Sequence, residues 1–367
     1  MKKKINHILP ALVLTASLGL TTVSCNGFLD EMPDNRTELN TDQKIAKLLV
    51  SAYADVSPNE LFELYSDNSD DSGPTYGYYK LSEQECYHWQ DTKEEYQDTP
   101  NSLWGGYYSA IAAANMALNA IEEKGNPASL DPQRGEALVC RAYCHFMLAN
   151  IFCNAYDTHA SQSLGVPYME EVETTVSPRY ERGTLEEVYR KVERDLLEGI
   201  DLISDDSYSV PKYHFTRKAA YAFAARFYLY YMKPDFSNCD RVIDFATRVL
   251  GTNPADLLRN WEALGNLSVN GNVQADAYIA SSNEANLLIS STVSNWGAIG
   301  SDYLIGPRYF HNQTLATSET CLSSGLWGSS DYFYLKPFST NGFVASILRK
   351  SGLYELSLIH ISEPTRQ

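Results

Sequence analysis

From residue 101 to residue 250 the chain repeats the spacing of an amphipathic helix, segment after segment, and this regularity restricts its fold more than any other feature. Tyr107, Ile111, Ala114, Leu118 and Ile121 step by four and three residues, which places all five on one helix face. A second helix is expected to open with Asp131 as N-cap and Pro132 in the first turn, and to run to Asn150. A third starts at Thr184, with Glu187 completing a capping box, and offers Leu185, Tyr189, Val192, Leu196, Ile200 and Ile203 to a core. A fourth begins near Thr216 and sets small alanines against Phe223, Phe227 and Tyr230, so that neighbours can approach both flanks. A fifth starts at about Asp240 and ends at Leu250. The expected fold is therefore mainly α: tetratricopeptide-like stacked helical hairpins with long irregular loops, although no clean repeat of roughly 34 residues is present.

The flanks differ in texture. Residues 55–100 are rich in Tyr, Ser, Asp and Gly, and those after Gly251 in Asn, Ser and Gly, with 285–289 the one clear hint of a strand. Long loops on a rigid scaffold are where function concentrates. At the N-terminus, Lys2, Lys3 and Lys4 precede an apolar stretch over 8–20, and Thr22, Val23 and Ser24 lead into Cys25. That is the arrangement of a lipoprotein signal peptide, and its apolar stretch of about 13 residues falls short of the roughly 20 that cross a bilayer. Acyl chains such as palmitate on Cys25 would anchor the protein, each buried methylene adding about 0.8 kcal/mol. The last ten residues, 358–367, resemble the translation of a sequencing adapter. The expected organisation is a signal peptide over 1–24, one C-terminally incomplete domain over 25–355 and a non-native tail over 356–367.

Composition narrows the function. The chain has 29 basic and 46 acidic residues, net −17, and removing the signal peptide deletes three lysines and no acid, which takes the charge to −20. Such a charge repels phosphate backbones and anionic lipid, so nucleic acid is excluded as a partner and the membrane is reached only through the anchor. There is no Gly-rich phosphate loop, no Gly-x-Ser-x-Gly elbow and no acid/base pair, so neither an enzyme nor a cofactor is expected. Asp67, Asp70 and Asp71 cluster, but Ser72 and Tyr78 stand where a calcium loop needs Gly and Glu, and a solvated acidic loop is expected. Cys140 and Cys144 lie one helical turn apart, where Cβ atoms are ~5–6 Å from each other rather than the ~3.8 Å of a disulfide, and read as small buried residues. Arg141, in mid-helix among Ala, Cys and Tyr, needs a carboxylate from another helix, since Glu136 falls on a different face.

A series of short motifs runs through the same residues. Cys25 is followed by Phe28-Leu29-Asp30, then by Ser66-Asp67-Asn68, by Trp104-Gly105-Gly106-Tyr107-Tyr108 and by Ala114-Asn115. Gly135-Glu136-Ala137 leads to Arg141-Ala142-Tyr143 and Ile151-Phe152, then to Gly165-Val166-Pro167, Asp195-Leu196 and Lys218-Ala219-Ala220. In order and spacing this series resembles the SusD/RagB family of outer-membrane nutrient-binding lipoproteins. The resemblance departs at Phe152-Cys153-Asn154, where many members have Phe-Gly-Asp, and no Arg-Ala-Glu motif follows residue 250. It implies a lipid-anchored protein at the cell surface that caps a SusC-like TonB-dependent barrel transporter and hands it glycans.

The candidate binding residues are the loop aromatics. Sugar rings present apolar C–H faces that stack on aromatic planes, and the chain has 26 tyrosines against 13 phenylalanines. Trp89 and Trp296 are the leading platforms, with Tyr76, Tyr78, Tyr79 and Tyr303 as secondary contacts and Tyr87 and Trp327 nearby in sequence. Each could instead be a core anchor beneath its loop. The leading reading is a non-catalytic glycan-binding subunit of an uptake system; a helical-repeat scaffold for peptide or protein partners is the alternative.

Overall fold

The computed structural model describes residues 39–67, 69–71, 73–74, 80–175, 178–267, 273–294, 308–311 and 353–357. Every element named here belongs to the unit 40–367. Helices α1 (Asp42–Leu48), α2 (Asn59–Leu64) and α3 (Leu81–Tyr87) lead into the long helices α4 (Pro100–Glu123), α5 (Asp131–Phe152), α6 (Leu185–Leu202), α7 (Arg217–Tyr230) and α8 (Cys239–Leu250). Short helices α9 (Trp261–Gly265) and α10 (Val273–Tyr278) follow. Strand β1 (Ser69–Asp71) pairs antiparallel with β3 (Tyr309–His311), and β2 (Asn286–Ser291) with β4 (Leu353–Ser357).

The central helices stack as hairpins: α4 packs on α5, α5 on α6, and α7 on α8. Threonine starts three of them, with Thr99, Thr184 and Thr216 accepting from the backbone N–H of Ser102, Glu187 and Ala219 at 3.4, 3.2 and 3.1 Å. Each side chain satisfies a donor that the first turn leaves without an intrahelical acceptor. Asp131 differs from its expected role: it is the first helical residue, and Leu130 holds the cap position with no side-chain bond. The reason is the 3-10 turn Ala128–Leu130, which delivers the chain into α5 already helical, so Asp131 acts through its charge at the helix N-terminus. Residues 55–100 also hold more structure than expected, because α2 and α3 bury Leu61, Leu64 and Cys86 against Leu103 and Tyr309. Helices of six and seven residues are too short to show a period in sequence and form through tertiary packing.

Helices α5 and α6 approach closely because glycine faces glycine. A Cβ on Gly135 would lie 2.7 Å from the Gly199 carbonyl oxygen, and one on Gly199 2.8 Å from that of Gly135. Further along the same contact, buried Arg141 donates from Nε to Asp195 Oδ2 at 2.6 Å and from Nη1 to Asn115 Oδ1 at 3.0 Å, which supplies the carboxylate that its sequence position demanded. Asp195 also accepts from Tyr168 at 2.7 Å and from Arg194 at 2.6 and 2.9 Å. Burial opposes the charge on Arg141, yet the adjoining carboxylate outweighs it and holds the guanidinium protonated. Cys140 and Cys144 are buried free thiols.

The same region pins the connection between α5 and α6. Asn115 donates to the carbonyls of Met169 and Glu171, and Tyr108 to that of Pro167. His145 accepts at Nε2 from the Met169 N–H at 3.0 Å, so its proton sits on Nδ1 and is donated to the Arg141 carbonyl at 2.9 Å. The Tyr168 ring stacks on the imidazole at 3.8 Å. Elsewhere, Tyr53 donates to Glu136 at 2.6 Å and accepts from the Phe215 N–H, while His214 meets the same Glu136 oxygen at 2.7 Å. Glu136 thus ties the segment after α1 to α5 and to the connection before α7.

Burial pulls the His145 pKa from its ordinary 6.5 down to about 3, so the folded protein holds this imidazole neutral. An unfolded chain takes up that proton near 6.5, and between those values the unfolded state binds more protons than the folded one. Stability from this group is complete above about pH 6.5 and is lost as pH falls toward 3. Urea titrations between about pH 7 and pH 4 should show the wild type losing more stability than His145→Gln, which starts lower because it cannot keep both hydrogen bonds. Equal slopes for the two proteins would refute this role.

Candidate functional site

Trp89 stands out from the loop aromatics by its backbone as much as by its ring. Helix α3 ends at Tyr87 with His88 as C-cap; the Trp89 N–H then bonds to the Cys86 carbonyl at 2.9 Å and the Gln90 N–H to the Glu85 carbonyl at 2.8 Å. This pair of bonds is a Schellman motif, whose left-handed residue is usually glycine. Here it is Trp89, at φ 55°. A side chain in that conformation costs roughly 1–2 kcal/mol, and the indole does not recover the cost by burial, since it is 73% exposed. One face of the indole stacks on Tyr65 at 4.4 Å and an interplanar angle of 18°. Its exposure leaves the opposite face for solvent or a ligand.

The support beneath the platform is rigid. Tyr65 follows directly on α2, and burial pushes its phenol up to about 12. Buried Glu85 accepts from the Lys93 N–H and Glu94 accepts from the Ser82 N–H, both at 2.9 Å, which straps residues 91–98 across α3. Glu83 accepts from the Lys80 N–H at the start of α3, and the Lys80 ammonium lies 3.8 Å from Glu60 and 3.7 Å from Glu83. Burial pushes the Glu60 carboxyl well up and raises that of Glu83 as well. Both carboxyls are structural in position: they are only 4% and 2% exposed and lie out of reach of a surface substrate.

Of the other expected platforms, Tyr76, Tyr78, Tyr79, Trp296 and Tyr303 lie outside the described residues, as do Trp327 and Cys25. Tyr87 is occupied, donating to Asp70 and packing on the Tyr309 ring at 5.0 Å. The acidic loop is tied down as well, because Arg308 donates to both carboxylate oxygens of Asp71 at 2.7 and 2.8 Å and holds its pKa below the usual value. Tyr65 escapes sequence reading, since nothing local distinguishes it from a core aromatic. A broad groove of about 940 Å³ beside α4, α5 and α6 is lined by many charged residues, of which Arg134 pairs with Glu198 at 3.0 Å and Arg194 with Glu170 at 2.7 Å.

A model of the SusD-like family, described as starch-binding and associating with the outer membrane, matches residues 27–229. Comparison with curated proteins returned no match. Among solved structures, a candidate sugar-binding protein from Bacteroides vulgatus superposes with a TM-score of 0.58 at 20% identity, covering 83% of this chain and 68% of its own. A SusD-like carbohydrate binding protein from the same organism gives 0.54 at 14% identity, with 71% and 55% covered. A SusD superfamily protein from Bacteroides thetaiotaomicron gives 0.52 at 18% identity, with 68% and 51% covered. At these identities the likeness is one of fold. The chain spans between about half and two thirds of the length of these structures.

Trp89→Gly relieves the left-handed backbone by roughly 1–2 kcal/mol and forfeits an aromatic pair worth about 0.5–1.5 kcal/mol. Thermal unfolding should therefore show the variant as stable as the wild type or slightly more so. A loss above about 2 kcal/mol would make Trp89 a core anchor instead.

Proposed function

Because the chain belongs to the SusD-like family, we propose that it is a non-catalytic, cell-surface glycan-binding subunit of an outer-membrane nutrient uptake system, lipid-anchored at Cys25 and partnered by a SusC-like TonB-dependent barrel. The observation that carries the glycan reading is Trp89: a large exposed aromatic plane, backed by Tyr65, at a position where the backbone favours glycine. Strain kept at a surface residue points to a role outside folding. The buried setting of Glu60 and Glu83 supports the non-catalytic part, since neither carboxyl can protonate a glycosidic oxygen at the surface. Trp296, with Tyr76, Tyr78, Tyr79 and Tyr303, would extend the platform.

Calorimetry against a panel of neutral oligosaccharides, starch fragments included, tests this directly. Trp89→Ala and Trp89→Gly should each weaken the best ligand by about thirtyfold, the equivalent of ~2 kcal/mol, in protein that circular dichroism shows to be folded. Unchanged affinity removes Trp89 from the site, and no binding across the panel favours a peptide or protein partner. The anchor is checked by labelling with a palmitate analogue, which Cys25→Ala should abolish, and the partnership by recovery of the barrel with wild-type protein from detergent-solubilised native membrane.

A further inference from the structure

A second concavity has a different chemistry. Strand β2 lies against the segment after α1, where the Val293 N–H bonds to the Asp55 carbonyl and Val293 bridges to Val56, and a cavity of about 290 Å³ remains between this segment, β2 and helices α5 and α7. Leu288, Ser290 and Thr292, alternate residues along one face of the chain, line one side. Aromatic rings form much of the rest, among them Tyr53, Phe215 and Tyr230, with Phe62 of α2 contributing to the wall.

Among the described residues, one charged side chain enters this space. Arg226 lines the cavity with its guanidinium carbon 5.7 Å from the Phe146 ring centroid and 5.8 Å from that of Tyr230. Among the described residues no carboxylate pairs with it, and no Asp or Glu lines the cavity. The Tyr143 hydroxyl, on the same cavity, likewise has no hydrogen-bond partner among the described residues. Burial pushes its pKa up against the pull of the Arg226 charge, so it stays a protonated donor. In a chain of net charge −17, Arg141 meets Asp195 and Arg308 meets Asp71, whereas the Arg226 guanidinium lies among aromatic rings. Guanidinium groups recognise carboxylates by charge-assisted hydrogen bonds, and the walls suit the C–H face of a ring. The volume lies at the lower end of the ~300–1,000 Å³ of small-molecule pockets, the scale of a single sugar ring.

We propose that this cavity binds a carboxylate-bearing sugar ring, a hexuronic acid unit, with Arg226 as counter-ion to the carboxylate, Tyr143 as hydrogen-bond donor and the aromatic walls as stacking surface. The sugar part rests on the glycan reading above; the acidic part rests on Arg226 alone. The site is separate from the Trp89 platform, though α2 serves both, with Phe62 at the cavity and Tyr65 three residues on beneath the indole.

Calorimetry on the intact chain with methyl glucuronoside, its uncharged amide and methyl glucoside decides the matter without a variant. The acid should bind about ten- to a hundredfold tighter than either neutral ligand, the range that a hydrogen-bonded charge contributes. Arg226→Gln should reduce the acid to the level of the amide, Arg226→Lys should keep part of the preference, and Tyr143→Phe should weaken the acid several-fold. Trp89→Gly should leave glucuronoside binding unchanged, and Arg226→Gln should leave neutral-oligosaccharide binding at Trp89 unchanged, so that failure of one site is not mistaken for failure of the other. Equal binding of acid and amide, no binding of the acid, or an acetylated peptide bound through its C-terminal carboxylate more tightly than glucuronoside would each overturn the proposal.

Discussion

The buried pair of Arg141 and Asp195 is the interaction on which the helical stack is organised. Two charges taken out of water are stable together only when their remaining hydrogen-bonding capacity is met, and here it is met from several elements at once. Asp195 on α6 accepts from Arg141 on α5, from Tyr168 in the α5–α6 connection and from its neighbour Arg194; Arg141 reaches across to Asn115 on α4. Losing one partner leaves an uncompensated charge, a loss of roughly 3–5 kcal/mol in comparable buried pairs and a large part of a margin of ~5–15 kcal/mol. The geometry that makes the pair possible lies further along the same helices, where Gly135 and Gly199 let α5 and α6 come within reach. Satisfying the pair also fixes the connection over 165–171, because Tyr168, His145 and Asn115 all bind its backbone or belong to it.

That stack is a platform for less regular segments, and the two candidate binding surfaces illustrate different uses of it. At Trp89 the scaffold holds a residue in a backbone conformation it disfavours and shows its ring to solvent. At Arg226 the scaffold keeps a positive charge among aromatic rings without the carboxylate that Arg141 and Arg308 receive among the described residues. Both are departures from what folding alone would favour. Local inconsistencies of this kind, set in an otherwise well-satisfied structure, are where binding chemistry is to be sought.

The helices of the middle region were legible because their information is local. A face of six apolar residues on α6 repeats often enough to be read, and Thr184 with Glu187 marks its start by side-chain chemistry that needs no tertiary partner. The need of Arg141 for a distant carboxylate could be read from its neighbours, whereas the identity of that carboxylate, Asp195, could not. Asp131 was misplaced by one position because a 3-10 turn ahead of it supplies the helical geometry that a capping side chain would otherwise initiate.

By itself the sequence determined the class of fold, the extent of the helical block and the exposure-prone chemistry of its aromatic loops, because helix periodicity, caps and net charge are properties of neighbouring residues or of the sum over all of them. Only the tertiary structure decided which aromatic has a free face, since that depends on Tyr65 stacking on Trp89 from 24 positions away. It also decided that, among the described residues, Arg141 meets a carboxylate and Arg226 does not, as both are arginines inside apolar helices and differ in what the packed neighbours place before them. Packing brings residues distant in sequence into contact, and the presence or absence of such a contact is not encoded in any short stretch of chain.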